Sequence, residues 1–124
     1  MICSDTSSLV ALFQGESGRD VELLAQAIRD HFVCLSPISV SELLSDRDIL
    51  PQFEELVLRT PLLEITPGYW ARAGKLRARL MRRGYRPKIA DTLIAQSCLD
   101  YQAPLITRDG DFAAFQKVAG LKLL

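Results

Sequence analysis

The chain has one histidine, three cysteines and no net charge. It also has no apolar run approaching the roughly 20 residues that a membrane-spanning helix needs. Each scarcity excludes something. Cys3, Cys34 and Cys98 are odd in number, widely spaced and without a CxxC pair. Each lies in an apolar segment, so they read as small buried residues and not as a disulfide framework or a zinc site. His31 ends a polar helix pattern with no Ser or Cys motif beside it, which makes it a surface residue rather than a catalytic base. The first residues lack the basic region, apolar stretch and cleavage site of a signal peptide, and a cytoplasmic protein is the expectation.

What is present is an ordinary globular composition, 48% hydrophobic and 24% charged over 124 residues. That length fits one domain, residues 1–124, with one core. The zero net charge hides a segregation. No acidic residue lies between Glu64 and Asp91, whereas Arg72, Lys75, Arg77, Arg79, Arg82, Arg83, Arg86 and Lys88 all fall there. The balance is the sum of a basic block and an acidic remainder.

Five short apolar segments read as strands: Met1 to Asp5, Phe32 to Leu35, Leu62 to Ile65, Pro104 to Thr107 and Leu121 to Leu124. Helical patterns separate them. Thr6-Ser7-Ser8 opens the first, Arg19 to His31 carries apolar positions at helical spacing, and Ile38 to Leu44 and Asp48 to Arg59 follow the second strand. Thr66-Pro67 predicts a helix start, with Gly84 as its stop. Tyr69, Ala73, Leu76 and Leu80 form the apolar stripe of that helix. Arg72, Lys75, Arg79, Arg82 and Arg83 form a basic stripe about 100° away, bordering the core rather than opposing it. That stripe suits a phosphodiester backbone, and it equally suits a solvated helix face or the docking of a partner segment. Strands that are apolar throughout and alternate with helices predict a parallel sheet covered on both faces.

Ligands gather at the carboxyl ends of such strands. Asp5 ends the first strand, Glu42 lies in the turns after the second, and Asp109 and Asp111 follow the fourth. Asp91 opens a helix, Lys88 to Leu99, whose Ile94, Ala95 and Cys98 share its face. On its own Asp91 reads as a helix-start residue. With the other acids brought to the same rim, it becomes a candidate ligand. Carboxylates crowded together repel, and a hard cation such as magnesium or manganese relieves them through all-oxygen coordination. Such a cation activates water for attack on a phosphodiester.

The DTSSLVALF opening, ISVSELL, the LRARLMRRGYRPKIADTLIAQSCL block and LITRDGDF together resemble the PIN-domain ribonucleases of the VapC toxin type. The resemblance covers nearly the whole chain, in order and at matching spacing. It implies a three-layer α/β/α fold with a five-stranded parallel sheet and Mg2+- or Mn2+-dependent cleavage of RNA. By motif position Asp5, Glu42, Asp91 and Asp109 match the family's four acids, and Asp111 its additional one. Ser7 and Thr107 match hydroxyls that hold the carboxylates. Arg72, Lys75, Arg79, Arg82, Arg83 and Arg86 are then the candidates for RNA contact. The resemblance also implies a homodimer silenced by a small antitoxin protein. Thr92 stands where some relatives carry a further acid. Two other readings fit parts of the pattern: a catalytically idle module of the same fold that binds RNA or a protein, and an aspartyl-phosphate protein with Asp5 as nucleophile.

Overall fold

The computed structural model describes residues 1–124. Strand β1 (Ile2–Ser4) leads into helix α1 (Thr6–Phe13) and then α2 (Arg19–Arg29). Strand β2 (Val33–Cys34) follows, with α3 (Pro37–Leu44), α4 (Pro51–Arg59), α5 (Tyr69–Arg82) and α6 (Ile89–Tyr101) after it. Strand β3 (Leu105–Ile106), a 3₁₀ turn (Gly110–Phe112) and α7 (Ala113–Ala119) complete the order. No helix is long and apolar enough to cross a membrane.

The sheet is parallel, in the order β2-β1-β3. Cys3 pairs in register with Cys34 on one side and with Leu105 on the other. The five-stranded expectation is met by three strands. The two outer segments each contribute one isolated parallel bridge, Leu35 with Leu62 and Leu105 with Leu123. On the Leu62 edge the amide of Leu35 donates to Pro61 O and that of Leu63 to Leu35 O, both at 2.9 Å. The chain then leaves the sheet, and the carbonyl of Glu64 accepts from the Tyr101 hydroxyl at 2.7 Å instead of from a strand.

Alternating side chains send the core to both faces of the sheet. Cys3, Cys34 and Leu105 pack with Leu76, Leu80, Ile94, Cys98 and Phe115, under α5, α6 and α7. Val33, Leu35 and Ile106 pack with Leu9, Leu24, Phe53 and Val57, under α1, α2 and α4. These are the three layers that the strand pattern predicts. The cysteines are free and buried, and His31 is exposed.

Two helix starts lie later than the sequence pattern suggests. Residues 46–49 form a turn, in which the Asp48 amide donates to Asp46 Oδ1 at 2.9 Å, and α4 begins at Pro51, where the missing N–H costs nothing. Thr66-Pro67 likewise form a turn ahead of α5. Gly68 at φ 83° breaks the run there, and the helix begins at Tyr69. The stop at the other end agrees with expectation, with Gly84 at φ 89°. Helix α6 ends at Tyr101, where Gln102 turns left-handed at φ 53°.

Candidate metal centre

Asp5 is the residue that follows β1 and caps α1 by position, yet its side chain makes no capping bond. Its Oδ2 accepts instead from Ser7 Oγ at 2.8 Å and from Thr107 Oγ1 at 2.9 Å. Asp5 as a whole is 5% exposed, and its backbone amide donates to Ile106 O at 2.9 Å. Both predicted hydroxyls therefore hold the same oxygen of the same acid.

The segment after β3 folds back on itself through its own polar atoms. Thr107 Oγ1 also accepts from the Asp109 amide at 3.0 Å, and Asp109 Oδ1 accepts from the Asp111 amide at 2.9 Å. The second bond is an Asx-type turn, which is why a TRDGD run makes a compact bend here. The Arg108 amide donates to Ser7 Oγ at 3.3 Å, which closes the bend onto the start of α1.

Asp91 lies in the first turn of α6, where the helix dipole favours a negative charge. Opposing influences prevail. Partial burial comes first, then the charges of Asp109 and Asp5, and its carboxyl is pushed up to about 6. Lys88 offsets part of this, and Asp111 adds to it. Ile94, Ala95 and Cys98 behind Asp91 are fully buried, so its helix is seated firmly on the sheet.

The structure gathers Asp91, Asp109 and Asp111 most tightly: one carboxylate oxygen from each lies within 4.8 Å of the others. Asp5 flanks this group closely enough to repel Asp91. Glu42 is exposed and outside that 4.8 Å group, with Oε1 accepting at 2.9 Å from Oγ1 of Thr6, the neighbour of Asp5. The cluster offers oxygen alone, with no imidazole or thiolate, and its mutual repulsion favours a bound cation. Magnesium holds ligands at about 2.1 Å, so oxygens across one ion lie about 4.2 Å apart. The three carboxylates lie within 4.8 Å of one another, and an all-oxygen donor set fits a hard divalent cation.

A cleft of about 310 Å³ opens beside these acids, lined by Tyr85, Arg86, Lys88, Asp91, Asp111 and Lys117 among others. Of the six basic residues singled out for RNA contact, Arg86 alone lines it. Lys88 and Lys117 were not among those candidates.

The basic stripe of α5 divides. Arg72 is committed elsewhere: its Nε and Nη2 donate to the two oxygens of Asp100 at 3.0 and 2.7 Å, and its Nη1 donates to Pro67 O at 2.8 Å. Arg79 donates to Val118 O at 2.9 Å. Lys75, Arg82 and Arg83 are exposed.

Comparison with known proteins agrees with this architecture. The family model described as PIN domain matches residues 2–119. A chain of VapBC2 from Rickettsia felis, solved bound to a promoter DNA fragment, superposes with a TM-score of 0.75 at 21% identity, covering 100% of this chain and 98% of that one. A chain of FitAcB from Neisseria gonorrhoeae gives 0.70 at 20% identity, covering 100% and 96%. A chain of VapBC-5 from Mycobacterium tuberculosis, described as a member of the VapBC family of toxin-antitoxin systems, gives 0.68 at 21% identity, covering 99% and 96%. At these identities the likeness is one of fold. No curated protein sequence matches the chain significantly.

Proposed function

The chain belongs to the PIN-domain family, and from that premise we infer that it is a metal-dependent endoribonuclease, the toxin of a toxin–antitoxin pair. The observation that carries this reading is the convergence of Asp91, Asp109 and Asp111 within 4.8 Å, beside an Asp5 clamped by two hydroxyls. Asp91, Asp109 and Asp111 would hold Mg2+ or Mn2+, with Asp5 at their flank and Glu42 at the outer edge.

When bound, the cation supplies Lewis-acid polarisation of a phosphoryl oxygen and a water acidic enough to attack near neutral pH. The protein's own groups do the rest. Asp5 has Oδ2 occupied by Ser7 and Thr107, which leaves Oδ1 to orient the attacking water and accept its proton. Arg86, Lys88 and Lys117 line the adjoining cleft and offer positive charge to the backbone of the strand being cut. Lys75, Arg82 and Arg83 extend a cationic surface for the rest of the RNA.

One of the solved relatives, VapBC-5, is described as a member of a family of toxin-antitoxin systems. By analogy, an antitoxin protein would silence this chain by covering the acidic cleft, and the working form would be a cytoplasmic homodimer. The deciding assay is cleavage of RNA by wild type and Asp91→Asn with magnesium present. Loss of cleavage in the variant is expected, and undiminished cleavage overturns the assignment. Calorimetry with Mn2+ separates a catalytically idle module: a folded wild type that neither binds the ion nor cuts RNA is a binding domain on this fold.

A further inference from the structure

Arg108 lies between two residues of the acidic site, yet its guanidinium turns away from every carboxylate there. Nε and Nη2 donate to Asp20 Oδ2 and Oδ1 at 2.8 and 3.0 Å, a two-pronged pairing with a fixed direction. Nη2 also donates to Ser17 O at 3.2 Å, and Glu16 stands 3.5 Å from Nη1. Asp20 is itself well anchored. Its Oδ2 accepts from the hydroxyl of the fully buried Ser8 on α1 at 2.8 Å, and its carboxyl is held down at about 2, chiefly by Arg108. Gly18 makes room for the pair: at φ +147°, a Cβ there would lie 2.7 Å from Asp20 Oδ1 and 3.1 Å from Arg108 Nη2.

The geometry points to the Asp20–Arg108 pair as a clasp that positions the acidic loop, holding residues 107–111 in the bend that carries Asp109 and Asp111 to Asp91. The inference rests on the reading of those acids as metal ligands. On its inner side the loop is fastened by Thr107 to Asp5 and by the Arg108 amide to Ser7. On its outer side the clasp fastens it to α1 and the start of α2. Arg108 sits at the middle of the bend, so both restraints act on one peptide segment. The clasp also occupies the cation next to Asp109 in the chain, which keeps it from neutralising Asp109 or Asp111 in place of a metal. Arg108 and Asp20 are therefore positioning residues and touch neither metal nor RNA.

Two measurements on the full chain test this. The amides of Asp109 and Asp111 bond to side-chain oxygens within the bend, so their hydrogen exchange, followed without metal, reports its closure. Asp20→Ala and Arg108→Ala should speed both amides about tenfold, while amides in the middle of α6 stay slow. Arg108→Lys, which keeps the charge and loses the two-pronged geometry, should fall between. Mn2+ affinity by calorimetry should drop by about tenfold in the alanine variants. Val57→Ala, which opens a cavity in the core under α4, should lower the melting temperature and leave both loop readouts unchanged. Unchanged exchange at Asp109 and Asp111 in Arg108→Lys and the alanine variants overturns the clasp. So does a rise spread over the whole chain, or Mn2+ affinity that holds while the loop opens. A wild type that binds no Mn2+ sinks the metal reading, and the exchange data then decide the clasp by themselves.

Discussion

Thr107 donates its hydroxyl to Asp5 Oδ2 at 2.9 Å across a separation of 102 residues. The Thr107 hydroxyl oxygen in turn accepts from the amide of Asp109 at 3.0 Å. One threonine thus orients the acid that ends β1 and the acid that follows β3.

Removing that hydroxyl while keeping the shape tests its importance. Thr107→Val leaves a mostly buried carboxylate short of one donor and an amide without its acceptor. A loss of about 1–3 kcal/mol in urea unfolding is expected, together with weaker Mn2+ binding by calorimetry. Thr107→Ser restores both bonds and should recover both properties.

Lowering the pH from 6 to 4 should relieve the cost that Asp91 places on the metal-free protein. The Asp91 carboxyl sits at about 6 in the fold against an unfolded value of 3.8, so between those pH values the folded state binds more protons. Stability from this residue therefore falls as pH rises from 4 to 6, and the full cost is present at neutral pH. Melting temperatures of the metal-free protein should show this slope. Asp91→Asn should flatten it, and saturating Mn2+ should abolish it by favouring the ionised form.

The arginines and lysines should separate into two groups. Arg86→Ala, Lys88→Ala and Lys117→Ala should each weaken RNA binding and reduce the slope of log K against log salt by about 1. Arg72→Ala should leave that slope unchanged and lower the melting temperature, because Asp100 loses its charged partner and the carbonyl of Pro67 its side-chain donor. Titrations at several salt concentrations, measured without divalent metal, distinguish the two groups.

Ile94 seats the helix that carries Asp91 and is fully buried. Ile94→Ala should cost about 2–5 kcal/mol through lost burial and the cavity left behind. Chemical denaturation measures that loss. Cleavage by the fraction that remains folded should also fall, since the first turn of α6 would no longer be held still.

Much of this was readable in the chain because the signals are local. The apolar runs around Cys3, Cys34 and Leu105 became paired strands, since a segment buried on both faces carries no charged residue. The segments at Leu62 and Leu123 carry Glu64 and Lys122 among their apolar residues and form only single bridges. Pairing length is set by where the neighbouring chain turns away, and the Tyr101 hydroxyl takes up the carbonyl of Glu64 from another element. The acids were visible as residues at strand ends and at one helix start. Their grouping was not: Asp111 joins Asp91 and Asp109, while Glu42 bonds to Thr6. The basic stripe of α5 was read as one face, and tertiary packing gave Arg72 to Asp100.

The sequence by itself determined the alternation of strands and helices, the parallel sheet between two helical layers, and the rim to which the acids would come. Those follow from burial and from the fixed periods of backbone geometry, which act over a few residues at a time. Only the tertiary structure decided which three carboxylates crowd together, which cations share their cleft, and that Arg108 is held away by Asp20. Those outcomes depend on distances between side chains far apart in the chain. Electrostatic and hydrogen-bond energies change over an ångström or two, a scale that residue spacing does not encode.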